Sequence, residues 1–469
     1  MRRLFLIALP LALAIALSGC SYLGQIAWQA ADQAGRYSAK RVAVDDIAVP
    51  DGYHAVRVVN GLNFPSALTW DADGTMYVLE SHTVPVPRLK PKIVRVAKNG
   101  RIDRVQLTGP DAPNGETAIG LTFHDGWLYF THEQKDGTFQ ISRVRPGGGV
   151  VEAVIRAVPV TGDHDVNHLL FDKDGTLYFG VGSATNSGVI AAQDPVNQKW
   201  LKQFPQTHDI PCRDLTLTGR TFNDEGGATG AFQPYKQASL RTIKGEAMCT
   251  SAIYRLRPGS TTPELVAWGF RNPVALAFDR DGNLVVGHQG ADVRSTRPIK
   301  DDPDSVLRVR EDTWYGWPDY NAALKALPDP VIDHHASGLV APDPSLVIAA
   351  TKPHAAISGM AAAPDGALLV AEMGDFKPMT DPNKSDRAGF QVERIDAGGA
   401  IAPYLRNRNE GDAQPASTLD LRNGFERPVD VRIGPDGLIY VLDFGAFVVT
   451  EGQPKAFPKT GKVFVIERR

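Results

Sequence analysis

The sequence predicts an all-β protein, a six-bladed β-propeller with a long inserted loop arm, and three patterns predict it. First, an Asp-Gly turn leading into an apolar or alternating strand occurs six times, at Asp73, Asp125, Asp174, Asp281, Asp365 and Asp436. Asp-Gly favours tight hairpins because glycine tolerates positive φ and aspartate tolerates the left-handed region. Second, each turn is followed by another strand, as in Lys92–Val96, Gln140–Val144, Ala252–Leu256, Ser305–Val309, Gln391–Ile395 and Lys462–Ile466, and five of the six carry arginine at one step. Third, the globular part begins on the strand-like run His54–Val59 and ends on the strand at Val463. Six equivalent sheets with strands at both ends suit a closed propeller, where the first strand completes the last blade and no sheet edge stays open.

The N-terminus is read separately. Arg2 and Arg3 precede an apolar run over residues 4–16, too short and too early for an ordinary spanning helix. Leu17-Ser18-Gly19-Cys20 then resembles the lipobox of bacterial lipoproteins, which implies cleavage before Cys20 and acylation of its thiol. Residues 1–19 are therefore expected to be a lipoprotein signal peptide, 20–50 a tether, and 51–469 the propeller. Ser21 follows the cysteine where an inner-membrane retention signal would be aspartate, so the expected location is the outer membrane, facing the periplasm. The anchor is the only expected membrane contact.

The mature chain carries well-mixed charge, with a formal net charge of −3 for the whole sequence, and no basic stripe. Nucleic acid is therefore not an expected partner. The third and fourth Asp-Gly turns lie 107 residues apart. The excess is assigned to an insertion over 184–250, rich in Gly, Thr, Asn and Gln, read as a loop arm on the propeller face. It holds Cys212 and Cys249, which either form a disulfide or stay as two buried thiols. Two cysteines do not make a zinc site, which needs four ligands.

The repeat also places a mouth. Pro65, Pro273 and Pro428 each lie eight residues before an Asp-Gly turn, where an inner strand begins. The residues just ahead of them, and their counterparts in the other units, should converge around one axis. They are Asn63 and Phe64, Gly115 and Glu116, His164 and Asp165, Arg271 and Asn272, Ala355 and Ala356, and Glu426 and Arg427, with His354 one step out. Guanidiniums and an imidazole at one level suit an anionic, oxygen-rich ligand and a proton transfer.

Motifs in this ring resemble the quinoprotein glucose and sorbosone dehydrogenases, six-bladed propellers that use pyrroloquinoline quinone (PQQ). They are Trp268-Gly269-Phe270-Arg271-Asn272-Pro273, Gln289-Gly290, Trp314-Tyr315-Gly316-Trp317-Pro318, Asp163-His164 and Glu426-Arg427-Pro428-Val429-Asp430-Val431. The resemblance implies that His164 is the general base, with Asp163 beside it to orient the ring, and that Arg271 polarises the reactive quinone carbonyl. Asn272 and Gln289 would bond the cofactor, Arg427 would pair with its carboxylates, and the carbonyls of Gly290 and Ala291 would ligate Ca2+. The chain departs from the family pattern at Val166-Asn167, Gly115, Gly374 and Val429. Lys377, three residues beyond Gly374, stands in for an expected cofactor lysine. The function this implies is oxidation of a small sugar, polyol or aldehyde by hydride transfer to PQQ, with the electron acceptor unassigned. Two other readings are kept: a cofactor-free propeller binding a carbohydrate or other small ligand, and a Ca2+-dependent lactonase-like hydrolase. Outside the ring, Asp301-Asp302-Pro303-Asp304 reads as a solvated turn more readily than as a calcium loop.

Overall fold

Six four- or five-stranded sheets, antiparallel except where Thr313–Trp314 pairs in parallel with Glu264–Trp268, close into a ring in the computed structural model, which describes residues 37–81, 90–160, 162–383, 386–450 and 453–469. The signal-like run and Cys20 lie outside the described residues.

Each sheet starts on an inner strand, Pro65–Trp70, Ala118–His124, Val166–Phe171, Asn272–Phe278, Ile357–Ala362 or Pro428–Ile433, and each inner strand packs beside the next around the channel. The Asp-Gly turns follow, with glycine φ between 74° and 87° at Gly74, Gly126, Gly175, Gly282, Gly366 and Gly437. Only glycine holds that conformation without strain. In the last blade Tyr53–Leu62 pairs with Gly461–Arg468, from Tyr53 opposite Arg468 to Leu62 opposite Gly461. The two ends of the globular chain thus close the ring.

The strand after each turn shows why these segments are so apolar. In Met76–Glu80, Met76 and Val78 pack into the core between the first and last blades, while Tyr77 and Leu79 pack into the core between the first and second. In Leu368–Glu372, Leu368 and Val370 face one neighbour, and Leu369 and Ala371 the other. Alternating side chains point to opposite faces, and both faces of a blade are covered, so both sets must be apolar.

Two expectations change. Val42–Val44 adds an outermost strand to the last blade and Ile47–Ala48 adds one to the fifth. The end of the presumed tether is therefore stitched onto two blades, because the outer edges there offer unpaired backbone groups. The 184–250 insertion is a folded flap rather than a bare loop. It holds the helix Asn197–Leu201 and two small ribbons, Leu215–Thr216 with Thr242–Ile243 and Thr221–Asp224 with Gly227–Gly230. Cys212 and Cys249 are joined by a disulfide with Cα atoms 5.0 Å apart. Closing a loop of that size is worth on the order of 4 kcal/mol in the chain-entropy account. Buried Asp209 fastens the flap, accepting from Ala184 N, Thr185 Oγ1 and Thr250 Oγ1.

Candidate functional site

At the mouth, all six inner hairpins slip register, between Pro65 and Ala67 in the first blade and at the corresponding step in the others. A bulge re-aims the side chains beside it. Polar residues that would otherwise alternate between two blades turn toward the axis instead. They enclose a cavity of about 270 Å³ lined by both polar and apolar side chains.

The polar wall begins with His164. Its Nδ1 lies 2.8 Å from the carbonyl oxygen of Ser183 and 3.1 Å from the Ser183 hydroxyl. A carbonyl only accepts, so Nδ1 carries the proton and donates, which leaves Nε2 as the lone-pair nitrogen on the cavity side. Burial, reinforced by the charge of Arg271, holds the imidazole well below its ordinary pKa. His164 is therefore neutral and available as a base at physiological pH. Gly182 makes room for it, since a Cβ there would meet His164 Cβ at 2.3 Å and Asn272 Oδ1 at 2.9 Å. Gly182→Ala is expected to cost about 1–3 kcal/mol through overpacking and to displace His164. A lowered melting temperature with a larger fractional loss of turnover checks this.

Arg271 is buried beside His164. Its Nε donates to Asn186 O (3.1 Å), and its Nη2 donates to Asn186 Oδ1 (2.9 Å) and Asp292 Oδ2 (3.2 Å). Asp292 also accepts from Arg294 Nε at 3.1 Å. Arg294 in turn donates to Asp163 Oδ2 and Asp194 Oδ2, each at 2.7 Å. Two arginines and three aspartates thus form one network along the wall, held by charge-assisted bonds. The Arg271, Arg294 and His354 charges outweigh burial and hold Asp292 below the usual carboxylate range.

This network corrects the expected role of Asp163. Its carboxylate does not touch His164. It accepts from Asn197 Nδ2 (2.9 Å), Trp200 Nε1 (3.1 Å) and Arg294. Asp163 joins the inserted flap to the mouth, and Ser183 orients the histidine. The flap contributes Val196 and Lys199 to the cavity lining. Burial lowers the Lys199 ammonium to about 8.

A planar amide chain continues the wall. Asn167 Nδ2 donates to Asn272 Oδ1, and Asn272 Nδ2 donates to Gln289 Oε1, both at 2.7 Å. Gln289 Nε2 donates to Ile357 O at 2.6 Å. The residue expected to be glycine in the family, Asn167, thus supports Asn272. After Gln289, the amides of Gly290 and Ala291 are taken by Asp304 Oδ1 (2.8 Å) and Asp302 Oδ2 (2.7 Å). Asp302 and Asp304 are buried, not solvated as expected, and burial raises them to about 7 and about 6. They also accept from Ala322 N and Ile357 N, which ties the loop to two blades. A Cβ at residue 290 would lie 2.5 Å from Pro303 O, so glycine is required for this close backbone approach. Gly290 lines the cavity and Ala291 does not.

The opposite wall is apolar: Ile119, Met373, Phe376, Met379, Val429 and Phe444. Two expected cofactor residues sit behind it. Arg427 is buried, and its Nη1 donates to the carbonyls of Met373, Gly374 and Asp375 while its guanidinium lies 3.5 Å from the Phe447 ring centre. It braces the Met373–Asp375 segment instead of facing the cavity, because three carbonyls and an aromatic face already use it. Lys377 follows on the same segment and does not line the cavity. Asn63 and Glu426 also stay outside the lining. Glu426 N and Arg427 N donate to Asp443 Oδ2, and Asn63 N to Glu80 Oε1. These carboxylates close the second strands of their blades, a repeat position that the ring reading did not use.

The sequence-predicted His164, Asp163, Arg271, Asn272, Gln289 and Gly290 meet in one cavity, while Arg427, Lys377 and Ala291 stand behind it. Asp292, Arg294, Lys199 and Thr380 were not predicted, and His354, read as one step out from the ring, lines the cavity. Asp292 and Arg294 follow Gln289-Gly290 directly, so the loop closing the second strand of the fourth blade held the signal.

A scan against protein-family models finds no match. An uncharacterised protein of Synechocystis sp. is 24% identical over 473 residues, covering 94% of this chain and 96% of its own length. Quinoprotein glucose dehydrogenase B of Acinetobacter calcoaceticus is 21% identical over 287 residues, 56% of this chain and 51% of that enzyme. Among solved structures, the PQQ-bound aldose sugar dehydrogenase of Streptomyces coelicolor superposes with a TM-score of 0.51 at 18% identity, covering 92% of this chain and 99% of that one. The calcium structure of the Trichoderma reesei family AA12 enzyme gives 0.54 at 14% identity, covering 92% and 99%. What these likenesses establish is a shared fold: the chain is a six-bladed β-propeller of the kind that carries the quinoprotein sugar dehydrogenases.

Proposed function

We propose that this protein is a quinoprotein oxidoreductase that oxidises a hydroxyl of a sugar or related polyol at the propeller mouth, with PQQ and Ca2+. The observation that carries the reading is His164, a neutral base of fixed tautomer, beside the buried guanidinium of Arg271 in the mouth cavity. The relatives named for PQQ and for aldoses support it.

PQQ, when bound, supplies the electrophile that accepts the hydride. The chain's own residues do the rest. His164 Nε2 takes the substrate hydroxyl proton as the C–H bond breaks, and the Ser183 carbonyl stabilises the imidazolium that forms. Arg271 supplies a preorganised N–H face for negative charge developing on an oxygen, and Asp292 keeps it in place. Asn272 and Gln289, locked by Asn167 and Ile357, present fixed amide edges to a planar ligand. Of the six to eight oxygens that Ca2+ takes, the Gly290 and Ala291 carbonyls would supply two. The apolar wall at Val429, where the family pattern has a charged contact, favours one other reading, a carbohydrate-binding propeller without cofactor. We further propose export as a lipoprotein anchored through Cys20 and facing the periplasm.

Adding PQQ and Ca2+ to the purified chain is expected to produce aldose-dependent reduction of a dye and to raise the melting temperature. Neither change, at saturating quinone, would remove the oxidoreductase reading and leave the binding propeller.

A further inference from the structure

Buried polar atoms without partners are rare, because each forfeits its hydrogen bonds to water. Among the described residues that line the cavity, two side chains carry such an atom: His354 at Nε2 and Thr380 at Oγ1. They are 6% and 8% exposed. They are also neighbours through one short segment. His354 Nδ1 lies 3.4 Å from Asp292 Oδ1, and Val293 N donates to Thr380 O at 2.8 Å. The backbone at His354 lies in the left-handed region at φ 68°, where histidine is enriched among non-glycine residues. Two unsatisfied features on one wall point to a group that satisfies both when bound.

We propose that His354 and Thr380 form a carboxylate-binding subsite of the mouth cavity. A carboxylate fits because its two oxygens can accept from both Nε2–H and Oγ1–H at once. Asp292 holds the Nδ1 side of the imidazole, so Nε2 carries a proton to donate when the ring is protonated. Burial opposes charge on His354, but the hydrogen bond and charge of Asp292, with Asp304 and Asp381, outweigh it and raise its pKa. The donor is therefore cationic more often than a free histidine. Asp163, Asp194 and Asp292 outnumber Arg271 and Arg294 by one charge, which a protonated His354 beside Asp292 balances. The proposal rests on the functional reading above only in taking this cavity as the ligand site. The carboxylate belongs either to the quinone cofactor or to an acidic sugar.

The test is equilibrium binding to the full chain in the presence of Ca2+, using PQQ, glucuronate and glucose as probes, with melting temperature as a second readout. His354→Leu and the near-isosteric Thr380→Val remove one donor each, and His354→Gln keeps a neutral donor. Affinity for the acidic probe is expected to fall roughly 10- to 100-fold in His354→Leu, less in His354→Gln, with glucose unaffected. The unliganded melting temperature of Thr380→Val should stay level or rise, since a buried orphan hydroxyl is removed. Loss confined to PQQ assigns the carboxylate to the cofactor, and loss confined to glucuronate assigns it to substrate. Glucuronate binding that depends on His354, with no PQQ binding in the unsubstituted chain, would uphold the subsite while the quinoprotein reading fails. Unchanged affinities for both acidic probes in His354→Leu and Thr380→Val, or no binding of either by the unsubstituted chain, would overturn the subsite.

Discussion

His164→Ala lowers kcat for PQQ-dependent aldose oxidation by about 10²–10⁴-fold, with a much smaller change in quinone affinity. The expectation follows from the tautomer. Ser183 accepts from Nδ1, so Nε2 is the nitrogen able to take a proton from a substrate in the cavity. Burial, reinforced by the repulsive charge of Arg271 beside it, keeps the ring unprotonated in the resting state and ready as an acceptor. His164→Gln separates base from hydrogen-bond donor: an amide can hold an oxygen but cannot accept the proton, so it should be nearly as slow as alanine. Steady-state kinetics with saturating quinone decide this. A His164→Ala variant within threefold of the unsubstituted rate would move the base elsewhere in the cavity, with Asp165 the next residue to examine. Burial and the negative charge of Glu133 raise the Asp165 carboxyl to about 8.

The second large effect is on stability. Arg294→Met should cost about 3–5 kcal/mol, the range for removing one partner of a buried ion pair. Arg294 reaches Asp163, Asp194 and Asp292, and its side chain is only 7% exposed. Removing it leaves three carboxylates in a poorly solvated wall with Arg271 as their nearest remaining guanidinium. The flap should loosen with it, because Asp163 and Asp194 come from either side of the junction between propeller and insertion. Denaturant unfolding measures the loss, and hydrogen exchange at residues 194–201 reports the flap. Equal stability of the variant and the unsubstituted chain would mean that the network is solvated and contributes little. Asp163→Asn is a useful companion. Asp163 bonds Arg294, Asn197 and Trp200 rather than His164, so this substitution should lower stability more than it lowers the catalytic rate.

The blades were legible because the signals are local. Each Asp-Gly turn specifies its own hairpin, and the alternation of Met76–Leu79 or Leu368–Ala371 reflects burial on both faces. Register among the six turns then brought His164, Arg271, Asn272 and Gln289 to one mouth. Side-chain direction was not legible, because each inner strand begins at a bulge, where period-two alternation fails. Arg427 shares its repeat position with residues that reach the axis, yet turns back onto the Met373–Asp375 carbonyls and Phe447. Asp163 was misassigned for a different reason. Its partner Arg294 is 131 residues away, and Asn197 and Trp200 sit in an insertion with no repeat to index it. The Asp302 and Asp304 pair reads as a polar turn until the backbone amides of Gly290, Ala291 and Ile357 are seen converging on it.

Isothermal titration of the calcium-loaded chain with PQQ bears most directly on the mouth as a quinone site. Saturable one-to-one binding that Arg271→Ala weakens is expected, since Arg271 is the guanidinium that lines the cavity beside His164. An absence of binding heat, or binding left untouched by Arg271→Ala, would contradict it.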